Sequence, residues 1–112
     1  MDCLFCKMAA GEIPVKEVYQ DEQVLAFHDI DPQAPTHFLV IPKKHIASPA
    51  DLTEEDAALV GHIFAVIAKI AKDLGLENGY RVVTNSGKDA GQSVHHLHFH
   101  VLAERSLAWP PG

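Results

Sequence analysis

Apolar residues recur every three or four positions along one stretch of the chain: Leu59, Val60, Ile63, Phe64, Ile67, Ile70, Ala71 and Leu74. That is the period of a helix with one face buried against a core. The spacing predicts a helix from about Thr53 to Leu74, with Thr53 as N-cap, Asp56 three residues on near its backbone donors, and Gly75 as the stop. Elsewhere the pattern is that of strands. Glu17–Gln20 and Val24–His28 read as the first two, His37–Ile41 (HFLVI, ended by Pro42) as a third, Tyr80–Thr84 (YRVVT) as a fourth and about Val94–Ala103 as the last. Residues 3–9 read as a short helix closed by Gly11. Asp29–Pro35, with two prolines, is a turn, and Asn85–Ser93 a polar loop. Strands joined mostly by short turns, with a single long helix, favour an α+β fold built on a roughly five-stranded antiparallel sheet. A parallel series would need more crossover helices.

The length of 112 residues suits one domain, 1–112, and the 47% hydrophobic and 21% charged content is that of a globular chain. A net charge of −6 argues against a general polyanion binder, so nucleic acid is not an expected partner, although a single nucleotide is not excluded. The longest apolar run, Ile63–Ala68, is too short for a bilayer, and the first residues lack the basic and apolar regions of a signal peptide. No membrane association is expected, and the expected compartment is the cytosol. Cys3 and Cys6 form a CxxC pair. It reads as half a metal site, as a redox pair, or as two small apolar residues in a helical turn. The redox reading wants a strand before the pair, and zinc wants two more ligands.

The chemistry concentrates in His96-Leu97-His98-Phe99-His100-Val101-Leu102. On a strand, alternation puts the three histidines on one face and Leu97, Phe99 and Val101 on the other. The apolar face explains itself as core; three imidazoles in alternation ask for a reason beyond a wet surface. Same-face neighbours lie about 6.5–7 Å apart and the outer pair about 13 Å, so all three cannot easily share one metal ion. A nucleophile flanked by supporting groups fits better, because a neutral imidazole attacks phosphorus and splits a transfer into two easier steps. Upstream, Asn85-Ser-Gly-Lys-Asp-Ala-Gly-Gln-Ser93 lacks P-loop spacing, but its glycines let backbone N–H groups approach an anion.

The run His96–Leu102 resembles the signature of the histidine triad superfamily of nucleotide hydrolases and transferases. FHDIDPQAPTHFLVIPKKH (27–45), GQSVHHLHFHVL (91–102) and the closing WPPG (109–112) resemble its histidine triad nucleotide-binding branch, the adenosine phosphoramidase type. The resemblance implies His98 as the nucleophile that forms a nucleotidyl-histidine, His100 as the contact to the α-phosphate, and His96 as the residue that orients the nucleophile. It places Ser93 near the leaving group, Asn85, Gly91 and Gln92 on the phosphate side, Asp29 on the ribose hydroxyls, and Phe5, Phe27, His28 and Ile30 around the base. Without it, Asp29 reads equally as a turn former and Phe27 as core.

Similar bacterial chains imply a structural zinc held by Cys3, Cys6, His45 and His96, with no catalytic cofactor. His96 would then be committed to metal, and proton relay would pass to Ser93 or water. The resemblance further implies a homodimer with a continuous sheet and a purine nucleotide as ligand. The reaction it implies is hydrolysis of purine nucleoside phosphoramidates and acyl-adenylates. A dinucleoside polyphosphate hydrolase, a nucleotide-binding interaction module and a zinc-buffering protein are the competing readings. His37 and His62 read as structural, and His95, by parity on the Leu97 face, as a residue of a dimer or loop surface.

Overall fold

The computed structural model describes residues 3–112. Helix α1 (Leu4–Ala9) leads into β1 (Glu17–Gln20), β2 (Val24–His28) and β3 (Thr36–Pro42). Helix α2 (Ala57–Leu74), β4 (Tyr80–Val83) and β5 (Phe99–Ala103) follow. The five strands form one antiparallel sheet in the order β1-β2-β3-β5-β4. The α+β expectation is met.

The two central strands are buried on both faces, so VLAF in β2 and FLVI in β3 are apolar without interruption. Val24, Ala26, Phe38 and Val40 pack with Phe99, Val101 and Leu97 against Ile63, Val66, Ile67 and Ile70 of α2. Leu25, Phe27, Leu39 and Ile41 point the other way, into a smaller cluster closed by Cys3 and Phe5. The second cluster is what gives α1, only six residues long, a place to dock.

Several boundaries differ from those the sequence predicts, each for a local reason. The long helix begins with a 3-10 turn, Glu54–Asp56; Thr53 and Asp56 form the capping box, the Thr53 backbone N–H donating to the Asp56 carboxylate at 3.1 Å. Gly75 ends the helix in the left-handed conformation. Phe64 and Leu74 stand outside the buried stripe, each 47% exposed, and Val66 takes a place within it. Pro42 is the last residue of β3 rather than its terminator. The largest correction is β5, which starts at Phe99 and not near Val94. The Leu97 amide donates to Ile46 O at 2.6 Å, which ties residues 94–98 to the segment after β3 instead of to the sheet. No described helix is long and apolar enough to cross a membrane.

Candidate active site and metal centre

Between α1, the turn after β2 and the start of β5 lies a cavity of about 1200 Å³. Phe5, Phe27, His28, Asp29, Ile30, Ser93, His98 and His100 line it, together with Leu4, Met8 and Val15. The Phe5 ring meets Phe27 edge-on at 5.7 Å between centroids and His98 at 5.2 Å, so one side of α1 forms the wall beside the central histidine. Asp29 is held by the turn itself, its carboxylate accepting the Asp31 N–H at 2.8 Å.

The three histidines of the motif do not share one environment, and main-chain groups decide which nitrogen of each ring carries its proton. His98 Nδ1–H donates to the His96 carbonyl at 2.7 Å, which leaves Nε2 with its lone pair. His96 is fully buried; its Nε2–H donates to Pro42 O at 2.8 Å, which leaves Nδ1 free. For His100 the relay is longer. The Gln33 backbone N–H donates to His37 Nδ1 at 3.0 Å, so neutral His37 carries hydrogen on Nε2, 2.9 Å from His100 Nδ1. His100 accepts there and keeps its own proton on Nε2, as a donor for the cavity. Burial, then His98 and His37, push the His100 pKa down to about 4 against the opposing pull of Asp29, so the ring is neutral at pH 7. Burial likewise lowers that of His96.

Two groups of side chains have the donors to hold a metal ion. In the first, Nδ1 of His96 lies 3.3 Å from Cys3 Sγ, 3.6 Å from Cys6 Sγ and 3.1 Å from His45 Nδ1, with Cys6 Sγ and His45 Nδ1 3.3 Å apart. Tetrahedral bonds of about 2.0 Å to nitrogen and 2.3 Å to sulfur would set such pairs about 3.3–3.6 Å apart. The His96 Nε2–H···O=C bond adds the outer contact that points its free nitrogen inward. Burial and the neighbouring Cys3 raise the Cys6 thiol, a cost that a divalent cation reverses. The donor set suits a tetrahedral ion.

The second group, Asp29, His37 and His100, does not. His37 Nδ1 already accepts a backbone N–H, so its Nε2 bears the proton and has no lone pair to offer. Asp29 Oδ2, 3.4 Å from that nitrogen, instead completes a hydrogen-bonding cluster beside His100.

The structure therefore brings Phe5, Phe27, His28, Asp29, Ile30, Ser93, His98 and His100 together around one cavity, and Cys3, Cys6, His45 and His96 around one point. Among the described residues, Asn85, Gly91, Gln92 and His96 are not part of the cavity lining. Gln92 turns inward, and its amide is fully engaged by main-chain groups. His95 is exposed, away from the core position of Leu97, because residues 94–98 are not in regular strand. His62 binds Asp21 Oδ2 at 2.6 Å and fastens α2 to the turn after β1, a structural place.

His37, structural by sequence pattern alone, meets His100 Nδ1 in the fold. Its parity with Leu39 and Ile41 was visible, but only the β3–β5 pairing, with Leu39 opposite His100 and His37 opposite Leu102, makes His37 the diagonal neighbour of His100.

Comparison with known proteins gives a consistent picture. The HIT domain family model matches residues 10–107. An uncharacterised HIT-like protein of Synechococcus elongatus is 51% identical over 111 residues, covering 99% of this chain and 97% of that one. Among solved structures, a HIT family hydrolase from Legionella pneumophila superimposes with a TM-score of 0.97 at 51% identity, covering 99% of this chain and all of the other. A histidine triad protein from Clostridium difficile gives 0.94 at 52%, covering 96% and 95%.

Proposed function

The chain belongs to the HIT domain family, and on that premise we propose that it is a hydrolase of purine nucleoside 5′-phosphoramidates and acyl-adenylates. In this reading it releases the nucleoside monophosphate through a nucleotidyl-histidine. The observation that carries the proposal is the ring of His98, which lines the cavity and whose Nδ1–H is tied to the His96 carbonyl, so that Nε2 keeps its lone pair.

His98 Nε2 attacks the α-phosphorus. The Nε2–P bond forms as the P–N bond breaks, an amine leaving group taking a proton from water through the Ser93 hydroxyl, or as the acyl P–O bond breaks, the carboxylate leaving as the anion. His100 Nε2–H donates to a phosphoryl oxygen, and being neutral it does so without drawing a counter-charge into the site. Water then attacks phosphorus, the P–Nε2 bond breaks, and the proton lost by the attacking water passes to solvent, replacing the one that an amine leaving group carried away. Asp29 receives the ribose hydroxyls, and Phe5, Phe27, His28 and Ile30 flank the base. His96, sealed from the cavity, acts only through its carbonyl.

Cys3, Cys6, His45 and His96 would hold zinc, which would supply structural cross-linking between α1, the segment after β3 and the triad. The partner is a second copy of the chain. Edge strand β4 carries Tyr80, 40% exposed, and its Arg81 lies 6.0 Å over the ring of Trp109, 80% exposed, an exposed edge of the kind that pairs.

The test is AMP release from adenosine 5′-phosphoramidate with EDTA present, wild type beside His98→Ala. Release that disappears in the variant supports the reading; undiminished turnover by His98→Ala refutes the nucleophile. No release by folded wild type refutes the substrate class.

A further inference from the structure

Gln92 sits beside the cavity without entering it, and its amide makes three hydrogen bonds to three different stretches of main chain. Oε1 accepts the Gly87 N–H at 3.0 Å. Nε2 donates to Ala47 O at 2.7 Å and to Val94 O at 3.0 Å. The Gln92 backbone N–H returns a bond to Gly87 O at 3.1 Å, so the two residues close the loop 87–92 reciprocally. Gly87 and Gly91 hold φ of +88° and +86°, a conformation that side-chain-bearing residues rarely adopt, so the loop is shaped to be gripped in this one way.

Two of the anchors border different parts of the site. Ala47 follows His45 and Ile46; His45 is a member of the thiol–imidazole cluster, and Ile46 O receives the Leu97 amide. Val94 opens the stretch that carries the histidines. Between the clamped residues stands Ser93, exposed and lining the cavity beside His98. Both of its chain neighbours are therefore fixed by one amide, Gln92 by its own three bonds and Val94 through its carbonyl.

We propose that Gln92 is a positioning residue for Ser93: its side-chain amide clamps Gly87, Ala47 and Val94 so that the Ser93 hydroxyl is held at the leaving-group side of His98. This rests on the phosphoramidate reading above. Gln92 needs both a carbonyl and an NH₂ for the task. Glutamate keeps the acceptor for Gly87 but sets carboxylate against two carbonyl oxygens, and methionine matches the length with neither function. Substitution should affect the departure of poor leaving groups, which depend on a placed hydroxyl, more than that of good ones.

The experiment compares wild type, Gln92→Met, Gln92→Glu, Ser93→Ala and the Gln92→Met/Ser93→Ala double variant. Two adenosine 5′-phosphoramidates serve as substrates, one releasing a basic alkylamine and one a weakly basic arylamine. Thermal denaturation and AMP affinity are measured on each protein. The expected result is a loss of about tenfold or more in kcat for the alkylamine substrate in both single Gln92 variants, several-fold less for the arylamine, with AMP affinity little changed. The double variant should be no slower than Ser93→Ala alone.

Equal losses on both substrates, or losses that multiply with Ser93→Ala, would overturn the proposal and leave Gln92 a purely structural brace. An inactive wild type that still binds AMP would overturn the phosphoramidate reading instead. If Gln92→Met does not fold, the leaving-group ratio in Gln92→Glu decides the matter.

Discussion

Replacing His37 by phenylalanine tests the proton arrangement of the site without touching His98, the proposed nucleophile. The ring fills the same space, but the Nε2–H that meets His100 Nδ1 at 2.9 Å is lost, as is the acceptor for the Gln33 N–H. His37 is 5% exposed, so water does not readily replace either partner. His100 is then free to take its proton on Nδ1 and to lose the donor it turns to the phosphate. Leaving a buried polar group without its partner costs about 1–3 kcal/mol, which corresponds to about 5- to 150-fold in rate if it falls on the transition state. The expected effect is therefore a fall in kcat of at least about fivefold. His37→Gln, which keeps an amide N–H near the position of Nε2, should recover much of the loss. The assay is AMP release from adenosine 5′-phosphoramidate, paired with ¹⁵N NMR of the His100 ring. The wild type should show the Nε2–H tautomer, and His37→Phe a mixture. Because His37 is one of the influences that lower His100 from the ordinary range to about 4, its removal should also raise the pH at which His100 protonates, burial continuing to oppose it. A His37→Phe enzyme within twofold of wild type, or a His37→Gln enzyme no better than His37→Phe, would refute the relay.

Other perturbations follow from the same geometry. Metal analysis of purified protein should find about one zinc per chain, lost in Cys6→Ser; hydrogen exchange should then rise across α1, since Cys3 and Cys6 bracket its first turn. Asp21 is opposed by burial, yet bonds from Gln23, His62, Val24 and Tyr19 bring it down to about 2 from an ordinary 3.8. A lowered carboxylate contributes stability that is complete above pH 3.8 and lost as pH falls through 2, about 2 kcal/mol at most for this partly exposed group. Asp21→Asn should accordingly flatten the acid limb of a denaturation-versus-pH curve. Ile67→Ala, at a residue 1% exposed between α2 and the sheet, should cost about 2–5 kcal/mol in urea denaturation, with the leaving-group preference unchanged.

Much of this architecture could be read from residue order, and where it could, the reason is local. VLAF of β2 and FLVI of β3 are apolar without interruption because they are covered on both faces, and α2 announces itself by a capping box and a glycine stop that its own residues supply. What escaped depends on partners far away in sequence. Residues 94–98 alternate as a strand would, and Leu97 reaches the core as alternation requires, but the hydrogen bond from Leu97 goes to Ile46 instead of the sheet. His37 was invisible as a site residue because its importance lies in a strand pairing across more than sixty residues. The family resemblance implies Gln92 on the phosphate side; in the fold it is not among the cavity-lining residues, and its amide is engaged by the main chain of Gly87, Ala47 and Val94.

The period of two in the histidine run looked at first like a device for placing three like groups on one face. The structure gives it another use. Only His98 and His100 share the cavity, their rings 5.0 Å apart; the ring of His96 is turned into the cluster with Cys3, Cys6 and His45, and its carbonyl toward His98. A residue whose side chain is fixed in one site and whose main chain orients the reacting ring of the next joins the two through a single peptide unit. Pro42 is suited to the other end of that chain of contacts. It has no N–H to give the sheet, yet its carbonyl accepts from His96 Nε2. The proton positions of His96 and His98 are thus set by backbone carbonyls, groups that do not titrate, and that of His100 by a backbone N–H acting through His37. With each ring's tautomer decided by main chain, His98 and His100 keep their proton positions wherever the rings themselves are neutral.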